Sequence, residues 1–295
     1  MLYTKPASVR FLRETNLHTG YQHSVAISLL RGMAAIQVAA AHVRAQFYPG
    51  LSTIADPSIG YQVLAFFTGF AHQAVVIFFV LSGWLVGGSL MNKLDDANAM
   101  LSYAIDRVTR LWIVLVPAFA ASLLIGIMIG EVHPGRPDIA GPDEYSLLTF
   151  AGNMFGLQDL AVPRYGGNFA LWSLTYETWY YVLFPLAVLM FSRRGALTKA
   201  ASAVAVALLA YQLNAAILLY FMLWLLGAGF SRVHIDASRR ARWMFAAAFL
   251  LTAVYFRLDG SNNILLEDSF VQDLLYSLLF LVLLCSLQVK LAAAD

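Results

Sequence analysis

Residues 111–130 read LWIVLVPAFAASLLIGIMIG, twenty successive positions without a charged side chain. The hydrocarbon core of a bilayer is about 30 Å thick and takes about 20 mostly apolar residues of helix to cross. Arg107 and Arg110 stand just before the stretch and Glu131 directly after it. It reads as a transmembrane helix. Seven further segments read the same way, at 25–45, 72–91, 169–191, 198–212, 215–230, 243–257 and 271–289. The expected fold class is all-α: a polytopic transmembrane helix bundle of about eight spans with both termini cytoplasmic. One membrane-embedded domain, 1–295, is expected, with a cytoplasmic tail over 1–24 and an external loop over 131–168.

Composition agrees. Sixty per cent of the 295 residues are apolar and 12 % are charged, with a mean hydropathy of +0.69. A soluble chain carries about 45–50 % apolar and about 25 % charged residues. An ordinary cytosolic enzyme, a disordered chain and a nucleic-acid binder are excluded; the first partner is the lipid bilayer. Cys285 stands alone, so a disulfide scaffold is excluded too. The first 24 residues have no apolar core of the signal-peptide kind.

Loop charges fix an orientation, because cytoplasmic loops collect Lys and Arg. With the N-terminus inside, fourteen of the nineteen Lys and Arg fall on the inner side; only Arg44, Arg136, Arg164 and Arg257 fall outside, and Arg31 lies within the first span. Acidic residues lean outward, among them Asp56, Glu144, Asp159, Asp259 and Asp273. The region 198–230 could be one long helix or two short ones. The basic loops Arg193–Lys199 and Arg232–Arg242 can both be inside only with two, turning at Gln212-Leu213-Asn214. The 131–168 stretch, rich in Pro and Gly, is expected to hold one interfacial helix near 145–157.

Charge at membrane depth is unfavourable by about 2.5–3.5 kcal/mol or more, so such residues are functional candidates. Arg31 and His42 share the first span, eleven residues apart. That spacing puts them on one helix face, roughly 16 Å apart along the axis. The alternative is that Arg31 snorkels to headgroups and His42 caps the helix end. Glu177 lies among apolar and aromatic neighbours, about 12 Å below the external end of its span. A carboxylate there must pair, bond or be protonated; the alternative is a Glu that ties helices together. Arg107 and Arg110 face one way on a helix and suit phosphate, or simply anchor the inner end of the third span. His72 reads as interfacial, and His18, His23, His133 and His234 as tail or loop residues. Gly83, Gly87 and Gly88 give a small-residue face of the packing kind. No metal-ligand spacing, nucleophile elbow, phosphate loop or dinucleotide fingerprint occurs, so no metal is expected.

Four blocks in order resemble one family. Leu29-Leu30-Arg31-Gly32-Met33-Ala34-Ala35 with His42 resembles the first helix of the acyltransferase-3 family of integral membrane acyltransferases. Phe78-Phe79-Val80-Leu81-Ser82-Gly83-Trp84-Leu85 is similar to its second-helix signature, and Arg107-Val108-Thr109-Arg110-Leu111-Trp112 to the basic start of its third helix. Trp172-Ser173-Leu174-Thr175-Tyr176-Glu177 with Tyr181 and Phe184-Pro185 resembles its most recognisable block. The resemblance covers residues 25–190. It implies a multi-pass protein of a bacterial inner membrane that moves an acyl group, acetyl above all, from an acyl-CoA co-substrate to a hydroxyl on a carbohydrate or small-molecule acceptor. No bound cofactor is implied. Carried onto this sequence, it makes His42 the essential histidine and catalytic base, with Glu177 the catalytic carboxylate. It makes Arg31, Arg107 and Arg110 acyl-donor-binding residues. Family members usually continue with a Ser-Tyr-rich segment, a further His and more spans. This sequence stops at Asp295, which reads as a truncated form or a shortened branch. Two other classes compete: a glycan or lipid-precursor transporter or flippase, which would show repeats or broken helices, and an inactive, truncated family member.

Overall fold

A computed structural model describes residues 8–15, 22–130, 144–259 and 269–288. The expectations for His18, His133, Arg136, most of the tail and the 131–143 part of the loop lie outside the described residues, as does the C-terminal end. Helices stand at each of the eight expected segments. In chain order they are α1 (Gln22–Phe47), α2 (Ile59–Phe67), α3 (Ala71–Ser82), α4 (Gly88–Asn92), α5 (Ala99–Ile129), α6 (Leu147–Met154), α7 (Trp172–Phe191), α8 (Ala196–Gln212), α9 (Ala215–Phe230), α10 (Arg239–Asp259) and α11 (Phe270–Ser286). Five helical stretches are long and apolar enough to cross a membrane: His23–Thr53, Ile59–Asn92, Ala99–Ile129, Phe169–Phe191 and Arg239–Asp259. Helices α8, α9 and α11 are apolar but shorter. The turn between α8 and α9 falls at Leu213-Asn214, where the Asn214 side chain accepts the Ile217 N–H at 2.9 Å and starts the new helix.

The chain divides into two compact units, Met1–Lys93 with Leu219–Asp295, and Leu94–Leu218. In the first unit α1 packs on α3, α3 on α11, and α11 on α10. A π-helical turn, Gly83–Gly87, joins α3 to α4. There the glycines let two backbones touch: a Cβ on Gly83 would lie 1.9 Å from the Trp224 carbonyl oxygen of α9, and one on Gly227 would lie 2.1 Å from that of Val80. The small-residue face is thus a helix crossing of the kind lipid-embedded bundles use. The Trp224 indole N–H donates to Ser82 Oγ at 3.2 Å across it.

The all-α expectation holds with one addition. Strand β1 (Ser8–Phe11) pairs antiparallel with β2 (Val233–Asp236), Arg10 opposite His234. Both segments alternate apolar and polar residues, the period-two pattern of a strand, but at four residues each they are too short to stand out between basic clusters. His234 is therefore a buried strand residue, not a loop residue, and His23 is buried in the first turn of α1, its ring 5.8 Å from that of Trp84.

In the second unit α7 packs on α8 and α5. Helix α5 begins twelve residues before the expected start at 111, so Arg107 and Arg110 lie inside it. Its 31 residues span about 46 Å, longer than the bilayer core. Residues 144–171 pack against α5. Tyr145, Met154, Tyr165 and Leu171 form an apolar cluster with Leu115 and Phe119 from the middle of α5. The backbone of this segment is bonded by side chains: the Trp112 indole to the Met154 carbonyl, the Trp179 indole to that of Gly156, the Asn153 amide to that of Pro163 and the Gln158 amide to that of Leu171. Helix α6 falls inside the 145–157 window, capped by Ser146, whose hydroxyl accepts the Thr149 N–H at 3.0 Å.

Candidate active site

Helix α1 presents one inward stripe. His23, Ile27, Arg31, Ala34, Val38 and His42 recur at three- and four-residue spacing. His23, Ile27 and Ala34 are buried, and Arg31, Val38 and His42 are half-buried. Leu29, Met33, Ile36 and Val43, on the other faces, are exposed. The unbroken helix keeps Arg31 and His42 on that stripe roughly 16 Å apart.

In the second unit Glu177 is half-buried on α7. The Tyr181 hydroxyl, one turn on, donates to Glu177 Oε1. Arg107 lies beside the same tyrosine, its guanidinium carbon 5.6 Å from the Tyr181 ring centre and 5.8 Å from that of Tyr103. Arg107 Nε is buried without a hydrogen-bond partner among the described residues. A guanidinium held by ring faces keeps its N–H groups for another acceptor. Arg110, expected to face the same way, is exposed while Arg107 is half-buried; the 60° between positions three apart is enough to turn it off the packed face. Arg31 and His42 thus belong to the first unit, and Arg107, Arg110 and Glu177 to the second.

Sequence reasoning missed one buried cluster. His72, read as interfacial, sits in the first turn of α3 and is buried; Asp273, read as an outward-leaning charge, is buried in α11. The His72 Nε2–H donates to both Asp273 carboxylate oxygens at 2.8 Å. The Tyr220 hydroxyl of α9 donates to Asp273 Oδ2, and Ser269 Oγ lies 3.1 Å from the Tyr220 oxygen. The 201 residues of separation left no local signal for the pairing. Among the described residues no group of three or more His, Cys, Asp or Glu is placed to hold a metal ion.

Comparison with curated proteins and with solved structures gives no match. A family model described as an acyltransferase domain matches residues 24–292, nearly the whole chain. The match takes in the four blocks read above and continues through α8 to α11. With helices long and apolar enough to cross a membrane several times, the chain belongs to the acyltransferase-3 family of membrane acyltransferases.

Proposed function

We propose that the protein is an O-acyltransferase of a bacterial inner membrane. It takes an acyl group, acetyl above all, from an acyl-CoA on the cytoplasmic side and transfers it to a hydroxyl of a carbohydrate or other exported acceptor. The observation that carries this reading is the single inward stripe of α1, on which a cation and an imidazole stand roughly 16 Å apart along a helix long enough to span the bilayer.

The acceptor O–H gives its proton to a neutral ring nitrogen of His42, imidazole being the side chain suited to this near neutral pH. The acceptor oxygen then bonds to the thioester carbonyl carbon and the carbon–sulfur bond breaks. Coenzyme A leaves as the thiolate and takes up the proton from the imidazolium, so an ester and a free thiol are formed. Glu177 is the catalytic carboxylate, kept in place by the Tyr181 hydroxyl. Arg31, Arg107 and Arg110 bind the donor's phosphates, with Arg107 the best prepared of the three because aromatic faces fix its plane.

The basic side of the sequence is cytoplasmic in this reading, and the β1–β2 ribbon supports it. It holds the N-terminal tail against the loop after α9, which requires an even number of crossings between them. Four helical stretches long and apolar enough to cross lie between them, and α8 with α9 adds a further pair in this reading. The test is His42→Ala in purified membranes supplied with acetyl-CoA. Acetyl transfer to membrane-extracted glycans, read by mass spectrometry, is expected to fall by roughly 100-fold or more with membrane insertion unchanged. Full activity in that variant would remove His42 from the chemistry.

A further inference from the structure

Of the four arginines that the charge distribution places outside, Arg164 is neutralised by Asp159 at 2.9 Å, and Arg136 lies outside the described residues. Arg44 and Arg257 are different. Neither makes an ion pair with a carboxylate among the described residues. Both are nevertheless fastened to the same short helix. The Arg44 Nη1–H donates to the Tyr61 hydroxyl oxygen at 3.4 Å, and the Arg257 Nη2–H donates to the Ala65 carbonyl at 2.8 Å. Positions 61 and 65 are one turn apart on α2, about 6 Å along its axis.

The groups they bond to are themselves fixed. The Tyr61 hydroxyl itself donates to the Pro49 carbonyl, and its ring stacks on Tyr48 at 5.3 Å. The Arg257 guanidinium lies against the backbone at the end of α2: a Cβ on Gly69 would sit 2.0 Å from Arg257 Nε. The two charges repel one another, and the Nε of each is buried with no hydrogen-bond partner among the described residues. Two half-buried guanidiniums bonded to one short helix, with no counter-ion among the described residues, are unfavourable; the carbonyl end of α2 offsets only part of this. An oxyanion would offset the rest, because the remaining N–H groups suit carboxylate or phosphate oxygens.

We propose that Arg44 and Arg257, bonded to positions one turn apart on α2, form an outward-facing binding site for a carboxylate or phosphate group. On the reading of the protein as an acyltransferase, the group belongs to an acidic acceptor; an anionic lipid headgroup offers the same chemistry from the outer leaflet. The site selects by charge, and the acyl donor plays no part in it.

The test uses the full chain in nanodiscs of phosphatidylcholine with no acyl-CoA present, so its outcome is independent of whether acyl transfer occurs. Glucuronate and inorganic phosphate are titrated and binding is read calorimetrically. Wild type is expected to bind saturably, and Arg44→Gln to weaken binding roughly 10- to 100-fold, the worth of a lost charge-assisted pair. Gly69→Ala, which displaces the Arg257 guanidinium, is expected to weaken it as well. Arg44→Gln carries the test alone if Gly69→Ala fails to fold, since Arg44 makes a single long hydrogen bond to the protein. Displacement of the soluble anions by phosphatidylglycerol in the disc assigns the site to a headgroup, and its absence assigns it to the acceptor. Equal binding by wild type and Arg44→Gln, or no saturable binding by wild type, overturns the proposal.

Discussion

His72 and Asp273 show what a single buried contact can require. Their side chains are 4 % and 5 % exposed, and the carboxylate takes hydrogen bonds from both His72 and Tyr220. Removing one partner of such a pair costs roughly 3–5 kcal/mol, because the other is left buried and uncompensated. Asp273→Leu is therefore expected to lower the thermal midpoint of the detergent-solubilised protein by many degrees. His72→Leu with Asp273→Leu is expected to recover part of it; additive losses in the double variant would contradict a paired role. At the same scale, Arg107→Ala should raise the KM for acetyl-CoA by roughly 10-fold or more and leave the KM for acceptor unchanged. Arg110→Ala should raise it less, since that side chain is exposed. These candidates were legible for different reasons. Arg31, His42 and Glu177 announce themselves by charge in an apolar run. The His72–Asp273 pair does not, because each residue sits at a helix end where polar side chains are ordinary.

The elements follow the same division. Long apolar runs marked α1, α5, α7 and α10 without ambiguity, and Asn214 marked the break between α8 and α9. Shorter signals were lost: β1 and β2 pair only with each other, across more than 200 residues of chain, which no local pattern encodes. Residues 144–168 read from sequence as part of a Pro- and Gly-rich loop, yet Tyr145, Met154 and Tyr165 pack on the middle of α5. The segment can do so because side chains of Trp112, Asn153, Gln158 and Trp179 bond its carbonyls, which buried irregular backbone needs. Gly83 and Gly227 carry the closest helix crossing. Alanine at either position must push two backbones apart, and overpacking of this kind costs about 1–3 kcal/mol or more. Gly83→Ala is expected to reduce the folded yield in size-exclusion chromatography, whereas Gly32→Ala, with nothing within 4 Å of the added carbon, is expected to leave it unchanged.

For the whole molecule the decisive property is sidedness. Cys285 is the single cysteine and is buried, so Cys285→Ala provides a background for labelling introduced thiols in intact cells. Exposed positions Val9 and Arg194 are expected to be protected from an impermeant maleimide, and Ser52 and Ala161 to react. The reverse pattern would invert the orientation on which the two-sided reaction rests. The account's central claim is that His42 serves a transfer from an inner donor to an outer hydroxyl. Inside-out membrane vesicles given radiolabelled acetyl-CoA test it most directly. The account predicts ester-bound label in the vesicle lumen, shielded from an added acetyl esterase until detergent is present, and none with His42→Ala; lumenal label formed as fast by His42→Ala as by wild type would contradict it.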